Sequence, residues 1–304
     1  MAAVPARIRF FHRFFAALWA KLSQCLLTVQ ICCKIHINEF GGLLAVENAY
    51  CEFALLYDRL MRDVDYDAWT AYVMALADAF LQREGAAEPT AIDCACGTGE
   101  VTLRLARSGL AAVGVDRSAD MLRVAQQKAM TRGLRIPFVQ ADMRGFTTHH
   151  PVDLVLACCD GVNYLDSQKE TGRFFAAANR ALKPGGLLLF DISSAYQLEH
   201  VLDGRTFGES EEDYAYLWQN VFDAQTRLLE MNLTFFVRDG ARYRRFDETH
   251  IQRAHTDGEL DAELIRQGFA VCGKYEAFTK NPPQADSERI QWVARKLTEP
   301  DRTF

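Results

Sequence analysis

The sequence predicts a doubly wound α/β fold: a mostly parallel sheet whose last strand is antiparallel, carrying an inserted antiparallel β lobe. Three observations carry this expectation. From residue 50 to about 194, short unbroken apolar runs alternate with amphipathic helical stretches. Strands covered by helices on both faces have this appearance, because neither face meets water. Beyond residue 194 the runs become rich in aromatic and branched residues and are separated by turn signals, which marks antiparallel strands. Finally, 304 residues with 49% apolar and 24% charged content can bury a sizeable core. That composition excludes a disordered or collagen-like chain and a polytopic membrane protein.

Taken in order, residues 68–83 have one apolar face and read as a helix, closed by Glu84-Gly85. Apolar runs at 91–96, 111–115, 137–140, 152–158 and 186–191 read as strands, with helices at about 100–108, 118–131 and 167–182 between them. In the lobe, strands are expected at 214–222, 227–237 and 242–252, with turns at Asp223-Ala224-Gln225 and Asp239-Gly240. Thr256 and Glu259 have capping-box spacing and begin a helix to about Arg266, closed by Gly268. Strands at 270–278 and 289–297 complete the main sheet.

Charge divides the chain. The formal net charge is −6, but residues 1–46 carry +4 and the remaining 258 carry −10. Fifteen of the 20 residues from 14 to 33 are apolar, preceded by Arg7, Arg9 and Arg13. That pattern fits either a membrane anchor or, the favoured reading, an upstream stretch outside the folded unit; Lys21, Gln24 and Gln30 interrupt it. The expected organisation is therefore an extension over 1–46 and one domain over 47–304, with the lobe at about 195–255. Nine cysteines, an odd number without zinc-ligand spacing, read as reduced thiols of a cytoplasmic protein, and no metal is expected.

In a sheet of this kind a ligand sits beyond the carboxyl ends of the strands. The first strand runs into Asp93-Cys94-Ala95-Cys96-Gly97-Thr98-Gly99-Glu100. Gly97 and Gly99 permit a tight turn and a close approach, although a plain strand-to-helix turn would use the same residues. The second strand ends in Asp116, 17 residues after Gly99, where a carboxylate can accept from ribose hydroxyls. The third ends in Asp142-Met143, an acceptor for an adenine amino group beside an apolar side chain to pack on the ring. A dinucleotide fingerprint would place a third glycine where Thr102 stands. Asp93 would repel a pyrophosphate and hold an ammonium group. S-adenosylmethionine has an ammonium, a sulfonium, a ribose and an adenine without phosphate, and it suits these residues better.

These runs resemble the class I S-adenosylmethionine-dependent methyltransferases: Asp93-x-Ala95-Cys96-Gly97-Thr98-Gly99, Gly114-Val115-Asp116-x-Ser118-x-x-Met121-Leu122, Ala141-Asp142-Met143, and Leu182-Lys183-Pro184-Gly185-Gly186 leading to Phe190-Asp191. More narrowly, Tyr57-Asp58-x-Leu60-Met61-x-Asp63-Val64-Asp65-Tyr66-x-x-Trp69 and Cys159-Asp160-x-x-Asn163-Tyr164-Leu165 are similar to the bacterial YqeM-like methyltransferases. The resemblance spans about residues 50–194 and implies a Rossmann-like sheet and methyl transfer. It implies that Asp93, Gly97 and Gly99 frame the methionine end of the cofactor, with Ala95, Cys96 and Thr98 in the same cofactor-binding loop and Cys159 contributing through its backbone. Asp116 falls on the ribose and Asp142 with Met143 on the adenine, and Met121 is counted among the cofactor-binding residues. Ala95 stands where glycine is common; alanine fits there if φ is negative.

Methyl transfer needs mainly alignment, and a base only where the acceptor still carries a proton. The candidates are Asp160, Asn163, Tyr57 and His250. Each has a second reading: Asp160 and Asn163 as turn or helix caps, Tyr57 as a packed aromatic, and His250 as a hydrogen-bonded structural residue. Alternation places Arg244 on the same strand face as His250, and Tyr243-Arg244-Arg245 reads either as a site for an anionic acceptor or as a solvated face. A small-molecule acceptor is the expected partner. The acidity of residues 47–304 weighs against RNA, the alternative being a tRNA nucleoside, and DNA is not expected. A binding protein without turnover is the remaining reading. Membrane contact would require residues 14–33 to be an anchor, and oligomeric state is not legible.

Overall fold

The computed structural model describes residues 53–81 and 88–298, so the extension 1–46 and the expected helix stop at Glu84-Gly85 lie outside the described residues. The helices are α1 (Ala54–Leu60), α2 (Tyr66–Phe80), α3 (Glu100–Arg107), α4 (Ala119–Thr131), α5 (Gln168–Ala181) and α6 (Asp257–Arg266). The main-sheet strands are β1 (Thr90–Cys94), β2 (Ala111–Asp116), β3 (Phe138–Gln140), β4 (Val152–Ala157) and β5 (Leu182–Ser193). The lobe follows with β6 (Thr206–Ser210), β7 (Tyr214–Asp223), β8 (Leu228–Asp239) and β9 (Arg242–Arg253). The chain then returns to the main sheet with β10 (Phe269–Glu276) and β11 (Arg289–Lys296).

Seven strands form the main sheet in the order β10-β11-β5-β4-β1-β2-β3. The neighbours among β1 to β5 are parallel, whereas β11 is antiparallel to both β5 and β10. The chain starts in the middle at β1, moves outward through β2 and β3, and returns beside β1 with β4. The change of direction therefore falls between β1 and β4, where such sheets open a crevice.

Both faces of the central strands are dry, which is why those strands read as unbroken apolar runs, whereas the edge strand β3 is largely exposed. Ile92, Val155, Leu188, Phe190 and Trp292 pack on one face against Phe174, Phe175 and Ala178 of α5 and Leu260 and Leu264 of α6. Ala91, Leu154, Leu156, Leu187, Leu189 and Val293 pack on the other against Trp69, Val73 and Leu76 of α2 and Val101 and Leu105 of α3. Phe190 and Trp292 stack at 5.4 Å between centroids.

Local chemistry sets the ends of the elements. Asp65 accepts a hydrogen bond from the Ala68 amide at 2.9 Å, so α2 begins at Tyr66, ahead of the apolar periodicity. Thr256 and Glu259 make the reciprocal capping box that starts α6. Pairing of β4 with β5 jumps from Val152–Leu182 to Leu154–Leu187, so the Lys183-Pro184-Gly185-Gly186 run bulges out before regular pairing resumes. No described helix is long and apolar enough to cross a membrane.

The lobe is a four-stranded antiparallel sheet in the order β6-β7-β8-β9, inserted between β5 and α6. Three strands were expected from the sequence. The missed β6 is an edge strand of five residues with a central Gly208 and only Phe207 and Glu209 partly covered, so its alternation is too short and polar to register. Pairing from β7 through β9 has no register shift, and Arg244 and His250 accordingly share a face. Beneath the lobe, Phe53, Leu56 of α1 and Met121 of α4 pack with Leu229, Met231, Leu233 and Phe235.

Candidate active site

The loop after β1 turns within three residues. The Cys96 amide donates to Val115 O at 3.1 Å and the Gly99 amide to Cys96 O at 2.9 Å. Gly97 (φ +54°) and Gly99 (φ +79°) lie in the left-handed region. A Cβ on Gly99 would come within 3.0 Å of Ala125 and 3.1 Å of the Phe138 ring, whereas one on Gly97 would project into open space. Gly99 is thus required by packing of the loop onto α4 and β3, and Gly97 by backbone conformation. Ala95 also has positive φ, +54°. The expectation that alanine fits there with negative φ is corrected: the turn holds a side chain in the region that glycine prefers, at a cost of about 1 kcal/mol.

Asp93 is buried at the end of β1 and accepts from the Thr102 hydroxyl at 2.6 Å. Burial pushes its carboxyl up to about 7, with the Thr102 hydroxyl acting in the opposite direction. Among the described residues no cation pairs with it. A buried acid without a counter-ion, below a glycine whose Cβ side is open, suits a ligand that brings its own positive charge. The site passes this test for S-adenosylmethionine.

At the end of β2, Asp116 accepts from the Gly97 amide at 2.8 Å through one carboxylate oxygen and from the Ser118 amide at 2.8 Å through the other. It therefore ties the glycine loop to α4, and burial raises its pKa against those amides. Each oxygen retains a further lone pair for a ribose hydroxyl. Asp142 meets Arg144 in its own turn, the Arg144 amide donating at 2.8 Å, and Arg144 also pairs with Glu170. Burial would raise the Asp142 pKa, but the Arg144 guanidinium holds it below the usual value. Met143 is partly buried against the main core. Met121 is buried and its side chain belongs to the apolar seam with α1 and the lobe.

The loop after β4 is the second unusual segment. Cys159 (φ +59°) and Asp160 (φ +63°) are consecutive left-handed residues, and a Cβ on Gly161 would stand 3.2 Å from that of Ala95. Two loops with strained backbone therefore meet across the crevice between β1 and β4. The Cys159 amide donates to the buried Asp191 at 2.9 Å and the Asp160 amide to the same carboxylate at 3.2 Å. Arg289, at the start of β11, pairs with both Asp191 and Asp160.

Of the four candidates for catalysis, three converge. Tyr57 of α1 lies near Cys159, Asp160 and Tyr164 and hydrogen-bonds with Tyr66. Burial, with the other phenols and acids adding to it, holds its pKa well above the ordinary value. His250 packs against Phe53 at 5.6 Å and Tyr164 at 6.1 Å, and burial depresses its pKa to about 4. Asp160 stands in the same group with its carboxylate on Arg289. Asn163 is different. It is fully buried, donates to Ser193 O at 2.9 Å and Arg253 O at 3.0 Å, and accepts from the Ser193 amide at 3.0 Å. Its amide is taken up in joining the end of β5 to the end of β9, which corrects its expected place among reacting groups.

Four residues near the site had no role assigned from the sequence. Asp58 accepts from the Thr98 hydroxyl at 2.6 Å and from Lys128 at 2.8 Å, fastening α1 over the glycine loop; Lys128 also reaches Glu100 at 2.6 Å. Asp191 and Arg289 are the others. The strand-end acid at Asp191 follows the pattern that singled out Asp93, Asp116 and Asp142, and the same rule applied to β5 finds it. Arg244, by contrast, lies over the Phe246 ring at 5.4 Å on the exposed part of β9.

Comparison with known proteins agrees with this fold. Residues 91–186 match the family model described as a methyltransferase domain. The putative methyltransferase YqeM of Bacillus subtilis (strain 168) is 38% identical over 248 residues, covering 81% of this chain and 97% of the relative. The crystal structure of an S-adenosylmethionine-dependent methyltransferase from Clostridium acetobutylicum superposes with a TM-score of 0.73 at 30% identity, covering 82% of this chain and 99% of that one. The methyltransferase CalS10 of Micromonospora echinaspora, solved with S-adenosylmethionine bound, shares the fold at 23% identity and a TM-score of 0.62, over 86% of this chain and 100% of that one.

Proposed function

The chain belongs to the S-adenosylmethionine-dependent methyltransferases, in the family of the YqeM putative methyltransferases, and we propose from that premise that its methyl acceptor is a small molecule. One observation carries the choice of acceptor class: four arginines around the lobe are spent on neighbouring carboxylates. Arg59 pairs with Asp213 at 2.6 Å, Arg62 with Glu209 at 2.5 Å, Arg238 with Glu212 at 3.1 Å, and Arg245 with Asp247 at 2.9 Å. A nucleic acid needs a basic stripe to neutralise phosphates, and here these four cations each have an acid beside them, on a unit of net charge −10. The Micromonospora protein, described as an amino pentose methyltransferase, provides a small acceptor on the same fold.

In this reading residues 47–304 act as one catalytic unit and the lobe, at about 195–255, roofs the acceptor. S-adenosylmethionine, when bound, supplies a methyl group on a sulfonium. Asp93 holds the ammonium, with Ala95, Cys96, Gly97, Thr98 and Gly99 shaping the loop around the methionine end and the Cys159 backbone facing it. Asp116 accepts from the ribose, with Met121 behind it, and Asp142 and Met143 receive the adenine. Tyr57 stays protonated at neutral pH and donates toward the acceptor side; His250 stays neutral beside Tyr164. Asp160, held by Arg289, faces the acceptor. Alignment supplies most of the acceleration. The setting proposed is the cytoplasm, with Cys94 and Cys158 acting as small buried apolar side chains.

The test is incubation with methyl-labelled S-adenosylmethionine and separate extracts of small metabolites, RNA and protein. Label is expected in the metabolite fraction. Label confined to RNA overturns the acceptor class.

A further inference from the structure

We propose that Asp191 and Arg289 are positioning residues for methyl transfer: together they hold the Cys159–Asp160 turn in the left-handed conformation that presents its backbone to the bound cofactor. The inference rests on the reading that Cys159 lies at the methionine end of the cofactor.

Two consecutive non-glycine residues with φ of +59° and +63° do not persist without something over-determining them. The carboxylate of Asp191 does so from below. Its two oxygens receive the two successive amides, Cys159 at 2.9 Å and Asp160 at 3.2 Å. It is fully buried, so these charge-assisted bonds act where water does not compete. A buried carboxylate needs a counter-charge, and Arg289 supplies it from β11 while also taking the Asp160 side chain. Arg289 is itself fixed, with its guanidinium 5.1 Å from the centre of the Trp69 ring on α2.

The connections run between distant parts of the chain. Asp191 is 98 residues from Arg289, and Asp160 is 129 residues from it. The antiparallel β11 thus has a use beyond closing the sheet: its register sets Arg289 opposite Ser193, at the mouth of the crevice. Because the turn abuts Ala95 through Gly161, freeing it would loosen both loops that frame the cofactor.

The experiment measures amide hydrogen exchange at Cys159 and Asp160, and calorimetric affinity for S-adenosylmethionine, in the full chain and in Asp191→Asn, Arg289→Met and Arg289→Lys. The expected result is exchange at those two amides faster by about tenfold or more in Asp191→Asn and Arg289→Met, with affinity weaker by about tenfold, and partial recovery of both in Arg289→Lys. Amides of Ala91 and Leu188 in the sheet core serve as the control and are expected to exchange as in the wild type. Should Asp191→Asn fail to fold, the two arginine variants carry the test. Exchange at Cys159 and Asp160 unchanged in a folded Arg289→Met, with affinity within about twofold of the wild type, overturns the proposal. Faster exchange that spreads equally to Ala91 and Leu188 also overturns it, because it shows general loosening. Absence of binding to the wild-type chain overturns the cofactor-site reading and this inference with it, and the wild type alone reports that outcome.

Discussion

Two regions of this molecule use the same residue types to opposite ends. At the carboxyl ends of β1, β2 and β5, carboxylates turn inward: Asp93 onto Thr102, Asp116 onto the Gly97 and Ser118 amides, Asp191 onto the amides of Cys159 and Asp160. Around the lobe they turn outward: Asp213, Glu212 and Asp247 meet Arg59, Arg238 and Arg245 in water. A buried carboxylate on a backbone amide fixes geometry, since either group left alone would lack a partner where water cannot reach it. An exposed ion pair is screened and its side chains lose freedom when they meet, so it fixes little. The strand ends are therefore a rigid mould, and the lobe perimeter is a surface whose sign of charge matters more than its individual bonds.

Variants that cut the inward bonds should do the most damage. Asn163→Ala removes three buried hydrogen bonds joining β5 to β9, and is expected to cost about 3 kcal/mol, lowering the thermal midpoint by roughly 10 °C. An unchanged midpoint in a melting experiment would break the comparison at the seam between the two regions. Asp116→Ala is expected to weaken S-adenosylmethionine binding by about 30-fold, or ~2 kcal/mol, by calorimetric titration. Equal affinity in wild type and variant removes Asp116 from the site.

The next effect is one of pH. The Asp93 carboxyl sits at about 7 in the protein without ligand, and a cationic group binds its ionised form. Affinity should therefore fall by about tenfold as the pH drops from about 8 to about 6, and Asp93→Asn should be flat over the same range. A wild-type profile as flat as that of the variant counts against an ammonium at Asp93. Smaller again, Ala95→Gly relieves a left-handed side chain and should stabilise the fold by about 1 kcal/mol, read from denaturant midpoints. Destabilisation would mean that the alanine methyl group packs better than its backbone suffers. At the bottom of the scale, Arg245→Ala should leave the melting curve unaltered, since its pair with Asp247 is exposed on both sides. A clear drop would show that the lobe surface is not the passive region described.

How much was legible follows from chain separation. The positions of Gly97, Gly99, Asp116 and the Asp142-Met143 pair are legible because each stands beyond the end of its own strand, and a strand end is a local pattern of apolar run, turn residue and helix start. The capping box at Thr256 and Glu259 was readable for the same reason. The two readings of Asn163, reacting group or structural amide, are not separable in the sequence because its partners are 30 and 90 residues away. Asp58 and Thr98, 40 residues apart, were both in view without any sign that they meet. The sign of φ at Ala95 is not legible in the sequence because alanine carries no turn signal of its own.

The sequence by itself determined the alternation of elements, the strand-end acids and the class of cofactor, because hydrophobic period and glycine placement act over a few residues. Only the tertiary structure decided which acids stand without a counter-ion, which are tied to the backbone, and which loops are held in strain. Those outcomes depend on β11 arriving antiparallel beside β5 with Arg289 at the crevice, and on α1 settling over the glycine loop. Both are choices among long-range partners of similar local chemistry, made when the whole core is buried at once.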